Sequence, residues 1–346
     1  MVNTIKVSVV GGTGYTGIEL LRLLSHHPYV EIDHITSRGD VGSLVADIYP
    51  SMRGIISNQF VDPDKADLKS SDVVFFATPN GIAMNYAKKL LSEGVRVIDL
   101  AADFRIKDVA LWEQWYGMPH ACKDLLGEAI YGLPEINRDQ IKKARLVANP
   151  GCYPTAIQLG LLPLIKNNLI DKNTIIADAK SGISGAGKKL ESSFLMAEAS
   201  ESFKAYGIEG HRHLPEIEEI LSAYAAGERV KLTFVPHLLP MVRGIHATIY
   251  VDATEEFDAT ALFENFYSKE PFVDIMPAST CPDTKSVRAS NICRISLHKE
   301  RGTNRIIIIS VIDNLMKGAA GQAVQNMNIM MNYNETVGLN LRPLVP

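Results

Sequence analysis

An excess of charge of either sign is missing from this chain. Its 346 residues carry 35 Lys and Arg against 39 Asp and Glu, a net charge of −4. Both signs are spread along the sequence, which leaves no basic face for nucleic acid. Cysteine is scarce: Cys122, Cys152, Cys281 and Cys293 are the four, with no Cys-x-x-Cys pair. So few in so long a chain point away from a disulfide framework, towards reduced thiols and a cytoplasmic home. No apolar run approaches the ~18 residues that span a bilayer. Met1–Lys6 leads straight into an apolar strand with no basic-then-apolar leader, so no signal peptide is expected. Repeats and low-complexity linkers are absent too.

What is present is enough chain for two cores, since one core seldom grows past ~250–300 residues. The first part alternates strands and helices. Ile5–Val10, Val30–Thr36, Val73–Ala77, Val95–Leu100 and Arg145–Ala148 are apolar β-rich runs, and Ile18–His26 and Ile82–Leu91 show helical spacing. Strands apolar on both faces and separated by helices predict a parallel sheet covered on both sides. After residue 150 the pattern changes. A helix is expected from Pro154, since proline suits the first helical position, and Pro163 should kink or split it. The later strands, Ile175–Ala179, Val230–Val235, Ile245–Val251 and Arg305–Ile312, lack regular intervening helices, which predicts a mixed sheet. Gly318–Asn332 reads as a last helix. The class is therefore α/β: a Rossmann dinucleotide-binding domain over 1–150, then an α+β domain.

Between the first strand and first helix stands Gly11-Gly12-Thr13-Gly14-Tyr15-Thr16-Gly17. Glycines alone fill many turns. Placed here, they let a pyrophosphate approach the backbone and meet the positive end of a helix. Gly11, Thr13, Gly14, Tyr15, Thr16 and Gly17 are thus candidate cofactor contacts. An NAD site usually ends its second strand with an acid. Here Glu31 and Asp33 lie inside the strand, and its end reads Thr36-Ser37-Arg38-Gly39. The hydroxyl of Ser37 and guanidinium of Arg38 suit the 2′-phosphate of NADP.

Asn149-Pro150-Gly151-Cys152-Tyr153-Pro154-Thr155 places a cysteine after a strand and turn, at a helix start. Most single cysteines are small core residues. This setting instead stabilises a thiolate and offers N–H groups to an oxyanion. A nucleophilic thiol needs a proton carrier, and Gly210-His211-Arg212-His213-Leu214-Pro215-Glu216-Ile217 supplies two histidines. A metal site would want a third ligand of matching type, which the sequence does not offer, so no metal is expected. Pro215 reads as the first turn of a helix, leaving His213 on the loop before it. His213 is taken as the acid/base and His211 as its support.

Taken together, the motifs resemble those of the N-acetyl-γ-glutamyl-phosphate reductase family, in the aspartate-semialdehyde dehydrogenase superfamily. The resemblance rests on residues 11–17, Ala77-Thr78-Pro79-Asn80-Gly81, residues 99–105, 131–135, 149–155 and 181–188, His211–Ile217, residues 240–244 and residues 313–323. It implies NADPH-dependent reduction of N-acetyl-L-glutamyl 5-phosphate through a cysteine thioester, in arginine biosynthesis. It also implies Cys152 as nucleophile, the histidine pair as acid/base, and Arg105 and Asn149 at the substrate. Pro79, Ser184, Gly185 and Asn314 would be further cofactor contacts. If Asn314 reaches the cofactor, a closing segment of about 314–346 completes the first domain, leaving 151–313 as the catalytic and oligomerisation domain. A homo-oligomer, dimer or tetramer, is implied as well. Three rivals stay open: the same chemistry on aspartyl phosphate or a carrier-linked aminoadipyl phosphate, a Cys–His hydrolase, and a non-catalytic NADP sensor.

Overall fold

The computed structural model describes residues 3–344. Met1 and Val2, part of the stretch read for a leader, and Val345 and Pro346, the end of the expected closing segment, lie outside the described residues. Contacts divide the described residues into two compact units, one holding residues 3–150 with Ala319–Asn340, the other Gly151–Gly318 with residues 341–344.

The first unit carries strands β1 (Ile5–Val10), β2 (Val30–Thr36), β3 (Phe60–Val61), β4 (Val73–Phe76), β5 (Arg96–Asp99), β6 (Ile130–Tyr131) and β7 (Leu146–Ala148). They pair in the order β3-β2-β1-β4-β5-β7-β6, every pair parallel. Val73–Phe76 are buried without interruption, as a sheet covered on both faces requires. Helices α1 (Tyr15–Leu24), α2 (Val45–Ile48), α3 (Ala83–Ser92), α4 (Val109–Tyr116) and α5 (Pro134–Ile141) connect the strands. The C-terminal helix Gly321–Met330 packs on α1 and α5, with all its residues buried. It starts later than the sequence suggests, because a π-helical turn occupies Met316–Ala320. His27, just past α1, bonds through Nε2 to Asn328 Oδ1 at 2.9 Å. Because β1 lies between β2 and β4, the turns that follow β1 and β4 sit side by side, where ligands bind in such sheets.

In the second unit the strands are β8 (Ile176–Gly182), β9 (Lys204–Ala205), β10 (Thr233–Leu239), β11 (Ile245–Asp252), β12 (Val273–Ile275), β13 (Cys293–Lys299) and β14 (Arg305–Ile312). The order is β12-β13-β14-β11-β8-β10-β9, with β12/β13 and β10/β8 parallel and the other pairs antiparallel. Helices α6 (Cys152–Lys166), α7 (Met196–Ala199), α8 (His213–Ala223) and α9 (Ala259–Phe266) belong here, and the C-terminal helix is α10. Every residue from Tyr153 to Ile165 is buried, with α6 packed on α8, α9, β11 and β14.

Pro163 does not split α6. Its missing N–H would have met Leu159 O, and the Tyr267 hydroxyl donates to that carbonyl at 2.6 Å instead. β10 likewise runs on through Pro236. Tyr206 N–H of the β9 side donates to Pro236 O at 3.0 Å, so the proline's donor-free nitrogen faces that two-residue edge rather than β8. Among the described residues no helix is long and apolar enough to cross a membrane.

Candidate active site

Cys152 is the first residue of α6, two positions earlier than the sequence suggests, with Gly151 as N-cap and no acid in the first turn. The positive end of the helix dipole lies beside the thiol. Gly151 N–H donates to the buried carboxylate of Glu216 at 2.8 Å, and Thr155 returns N–H and Oγ1 to Gly151 O at 3.0 and 2.9 Å. Glu216 belongs to α8, so the nucleophile's turn is tied to the helix that starts at His213. Cys152 is partly exposed, Cys122 and Cys293 are buried, and Cys281 is exposed. Burial, then Asp124, pushes the Cys122 thiol up to about 11.

Cys152 opens on a cleft of about 410 Å³ lined also by Tyr153, Gly185, Tyr206, His211 and His213. The two imidazoles are neighbours, with centroids 4.9 Å apart, and the Tyr153 ring meets both edge-on. His213 N–H donates to His211 Nδ1 at 3.1 Å. That bond leaves His211 as the Nε2–H tautomer, a neutral donor. Burial, then the Arg212 charge, takes its pKa down to about 4. Tyr206 donates to the Tyr153 hydroxyl at 3.2 Å, and Tyr153 to His237 O at 3.1 Å. Burial pushes both phenols up, Tyr206 to about 12, so both stay protonated at neutral pH.

His213 is the first residue of α8 rather than a loop residue before it. Ser184 and Asn314 are joined: Asn314 Nδ2 donates to Ser184 Oγ at 2.9 Å and its Oδ1 accepts Gly244 N–H at 2.8 Å. Asn314, expected with the segment that closes the first domain, falls in the second unit, and its amide is used within that unit. No pattern in the sequence marks Tyr206. Glu216 lies in a motif already in view, yet its bond to Gly151, 65 positions away, exists only in the fold.

The remaining candidates belong to the first unit. Gly11 has φ +92, and a Cβ there would lie 2.5 Å from Ala77 O; one on Gly17 would lie 2.3 Å from Gly11 O. The turn and the start of α1 are thus packed as closely as glycine allows. A Cβ on Gly14 meets nothing nearer than 3.9 Å, and Gly14 is the N-cap of α1 with no side-chain bond and no acid in the first turn. This open, uncapped helix start fits a pyrophosphate. Tyr15 and Thr16 form that first turn. Thr13 is held from both sides, its O by the Tyr49 hydroxyl at 2.6 Å and its Oγ1 by Ser37 Oγ at 3.4 Å. Arg38 follows at the surface. Pro79 lies in the turn after β4, which Asp103 fixes through Gly81 N–H at 2.7 Å and Met84 N–H at 3.0 Å. Arg105 is buried, its Nε on Asn149 O at 2.8 Å and Nη2 on Leu100 O at 2.7 Å. The Asn149 amide bonds to Ala319 O and Asn326 within the same unit.

Two family models match the chain. Residues 6–144 match the family model "semialdehyde dehydrogenase, NAD binding domain", and residues 152–314 match "semialdehyde dehydrogenase, dimerisation domain". Fold and site thus define a nicotinamide-dependent oxidoreductase of the semialdehyde dehydrogenase class. The chain is 61% identical to the N-acetyl-gamma-glutamyl-phosphate reductases of Nitrosospira multiformis and Laribacter hongkongensis, in each case across 99% of this chain and 100% of the relative. It belongs to the N-acetyl-gamma-glutamyl-phosphate reductase family. Solved structures share the fold at low identity. Aspartate semialdehyde dehydrogenase II from Vibrio cholerae superposes with TM-score 0.73 at 15% identity, over 95% of this chain and 99% of its own. Aspartate semialdehyde dehydrogenase with NADP from Candida albicans gives 0.69 at 15%, with the same coverage.

Proposed function

We propose that this protein reduces N-acetyl-L-glutamyl 5-phosphate to N-acetyl-L-glutamate 5-semialdehyde and phosphate, with NADPH, in the cytoplasm and in the service of arginine biosynthesis. The observation that carries the chemistry is Cys152 at the start of α6, in one cleft with His211 and His213. The substrate rests on full-length likeness to the named relatives.

Cys152 Sγ attacks the acyl carbon, the bond from that carbon to the phosphate oxygen breaks, and a thioester remains. Splitting the reaction this way replaces one hard step by two easier ones. The N–H groups of the first turn of α6 stabilise charge on the acyl oxygen. His213 takes the thiol proton and later governs the proton on the thiohemiacetal oxygen as Cys152 leaves as thiolate. His211, kept neutral by burial and fixed as the Nε2–H tautomer by the His213 amide, donates through Nε2–H and orients. NADPH, when bound, supplies the hydride that reduces the acyl carbon. Gly11–Gly17, with Ser37, Arg38 and Pro79, would hold it, and Ser184 and Gly185, with Asn314 fixing Ser184, are further contacts that the family resemblance implies. Arg105 and Asn149 are the substrate residues that the family resemblance implies. The second unit would also form the contact of a homo-oligomer, as the matched dimerisation domain suggests.

The test is phosphate-dependent reduction of NADP with N-acetylglutamate semialdehyde and, separately, aspartate semialdehyde. The reading requires turnover with the first and little with the second. Acyl turnover that needs no nicotinamide would make the protein a Cys–His hydrolase instead.

A further inference from the structure

Arg38, just past β2, has a guanidinium that is already held. Nη1 donates to Asp64 Oδ2 at 2.9 Å and Nη2 to Asp64 Oδ1 at 3.3 Å, with Asp62 Oδ1 3.8 Å from Nη1. Asp64 is itself fixed. Its N–H donates to Asp62 Oδ1 at 2.9 Å, and the Tyr86 hydroxyl donates to its Oδ1 at 2.5 Å. Tyr86 stands on α3 with its ring against Phe76, centroids 5.8 Å apart. All these residues lie in the first unit. Since α3 follows the Pro79 turn, the chain Arg38–Asp64–Tyr86 links the ends of β2 and β4, on either side of the glycine turn.

Resting on the reading of Arg38 as the residue that meets the 2′-phosphate, we propose that Asp64 and Tyr86 are positioning residues for cofactor choice: they hold the Arg38 guanidinium where the 2′-phosphate docks. The reason is entropic. Arg38 is 61% exposed, and a long, free side chain must surrender its rotamers to bind an anion. A carboxylate gripping the Nη1–Nη2 edge of the fork, with the Tyr86 hydroxyl accepting from Nη2 at 3.5 Å as well, removes most of that freedom beforehand and leaves the Nε–H edge for a phosphate. The carboxylate also subtracts from the pull on the phosphate. At a position this exposed, solvent and salt weaken that repulsion, whereas the geometric restraint persists. The grip is mutual: Arg38 holds the Asp64 carboxyl below its usual range, and Asp64 holds the guanidinium proton more firmly.

The experiment is calorimetric titration of the full chain with 2′,5′-ADP and with 5′-AMP, ligands that differ only by the 2′-phosphate. Asp64→Ala is expected to weaken 2′,5′-ADP binding about three- to tenfold and leave 5′-AMP unchanged. Tyr86→Phe should move the same way by less. Asp64→Asn, which keeps an acceptor for Arg38, should stay near wild type, and in an Arg38→Ala background Asp64→Ala should add no further loss. Undiminished or tighter 2′,5′-ADP binding by Asp64→Ala would overturn the proposal, since the carboxylate would then be a competitor. So would an equal loss of 5′-AMP, which marks a disturbed turn. If Arg38→Ala itself fails to separate the two ligands, the reading of Arg38 has failed and the inference falls with it. If Arg38→Ala separates them and Asp64→Ala does not, the inference alone fails.

Discussion

A Cβ added to Gly318 would lie 2.8 Å from the Cβ of Cys152 and 3.2 Å from its Cα. Gly318 belongs to the π-helical turn Met316–Ala320, and its N–H donates to Asp313 O at 3.0 Å. The buried Asp313 carboxylate takes the N–H groups of Leu315 at 2.8 Å and Ala289 at 2.7 Å. The turn is therefore a fixed wall, and the absence of a side chain at 318 lets the nucleophile stand against it.

Gly318→Ala should then displace Cys152 rather than be absorbed. A shift of about 1 Å at a reacting atom costs on the order of 10² in rate. Steady-state kinetics should show kcat down by about that factor, with the NADPH dissociation constant unchanged in a fluorescence titration. Wild-type kcat in this variant would mean the wall yields.

Tyr267→Phe tests how α6 tolerates its proline. The change leaves Leu159 O buried without the donor that replaces Pro163 N–H, a loss of about 1–3 kcal/mol. Denaturant unfolding should register it, and Pro163→Ala in the same chain should recover part of it by restoring the helical donor. No loss in Tyr267→Phe would show the bond to be idle.

His211 makes stability depend on pH with a definite sign. Its folded pKa, about 4, lies below the ordinary 6.5, so the unfolded chain binds a proton that the native chain refuses. Stability should fall as pH drops from 6.5 towards 4, and His27 and His246, also lowered by burial, act in the same direction. In His211→Gln the slope of unfolding free energy against pH should shrink by about one proton. An unchanged slope would mean that His211 is protonated in the native protein.

For catalysis the two histidines should differ. His213→Ala should keep cofactor affinity and lose about 10²–10⁴ in turnover, and His211→Ala less. Reversed losses would exchange their roles.

Much of this was legible because it is local. The glycine turn sits between its strand and helix in sequence as in space, and the alternation of strands and helices carries the parallel sheet. The misreadings have a common cause. Both active-site helices begin two residues before the expected proline, at Cys152 for Pro154 and at His213 for Pro215. None of the first four N–H groups of a helix has a partner within it, so proline fits anywhere in the first turn, and its presence marks a start without fixing it. β13 was legible and went unread: Cys293, Ile295 and Leu297 alternate with Arg294, Ser296 and His298, the pattern of a half-buried strand, and β12 and β14 bracket it in the sheet. Tyr206, Glu216 and Tyr267 act through bonds that cross 53 to 108 positions, and no sequence pattern of short range records them.

The central claim is a thioester on Cys152, and mass spectrometry of the trapped enzyme tests it most directly. Mixing the enzyme with N-acetylglutamate semialdehyde and NADP, without phosphate, runs the reaction backwards as far as the acyl-enzyme. A peptide containing Cys152 should then carry an N-acetylglutamyl group that added phosphate or hydroxylamine removes, and Cys152→Ser should carry none. NADPH formed with no adduct, or an adduct on any other residue, would contradict the account.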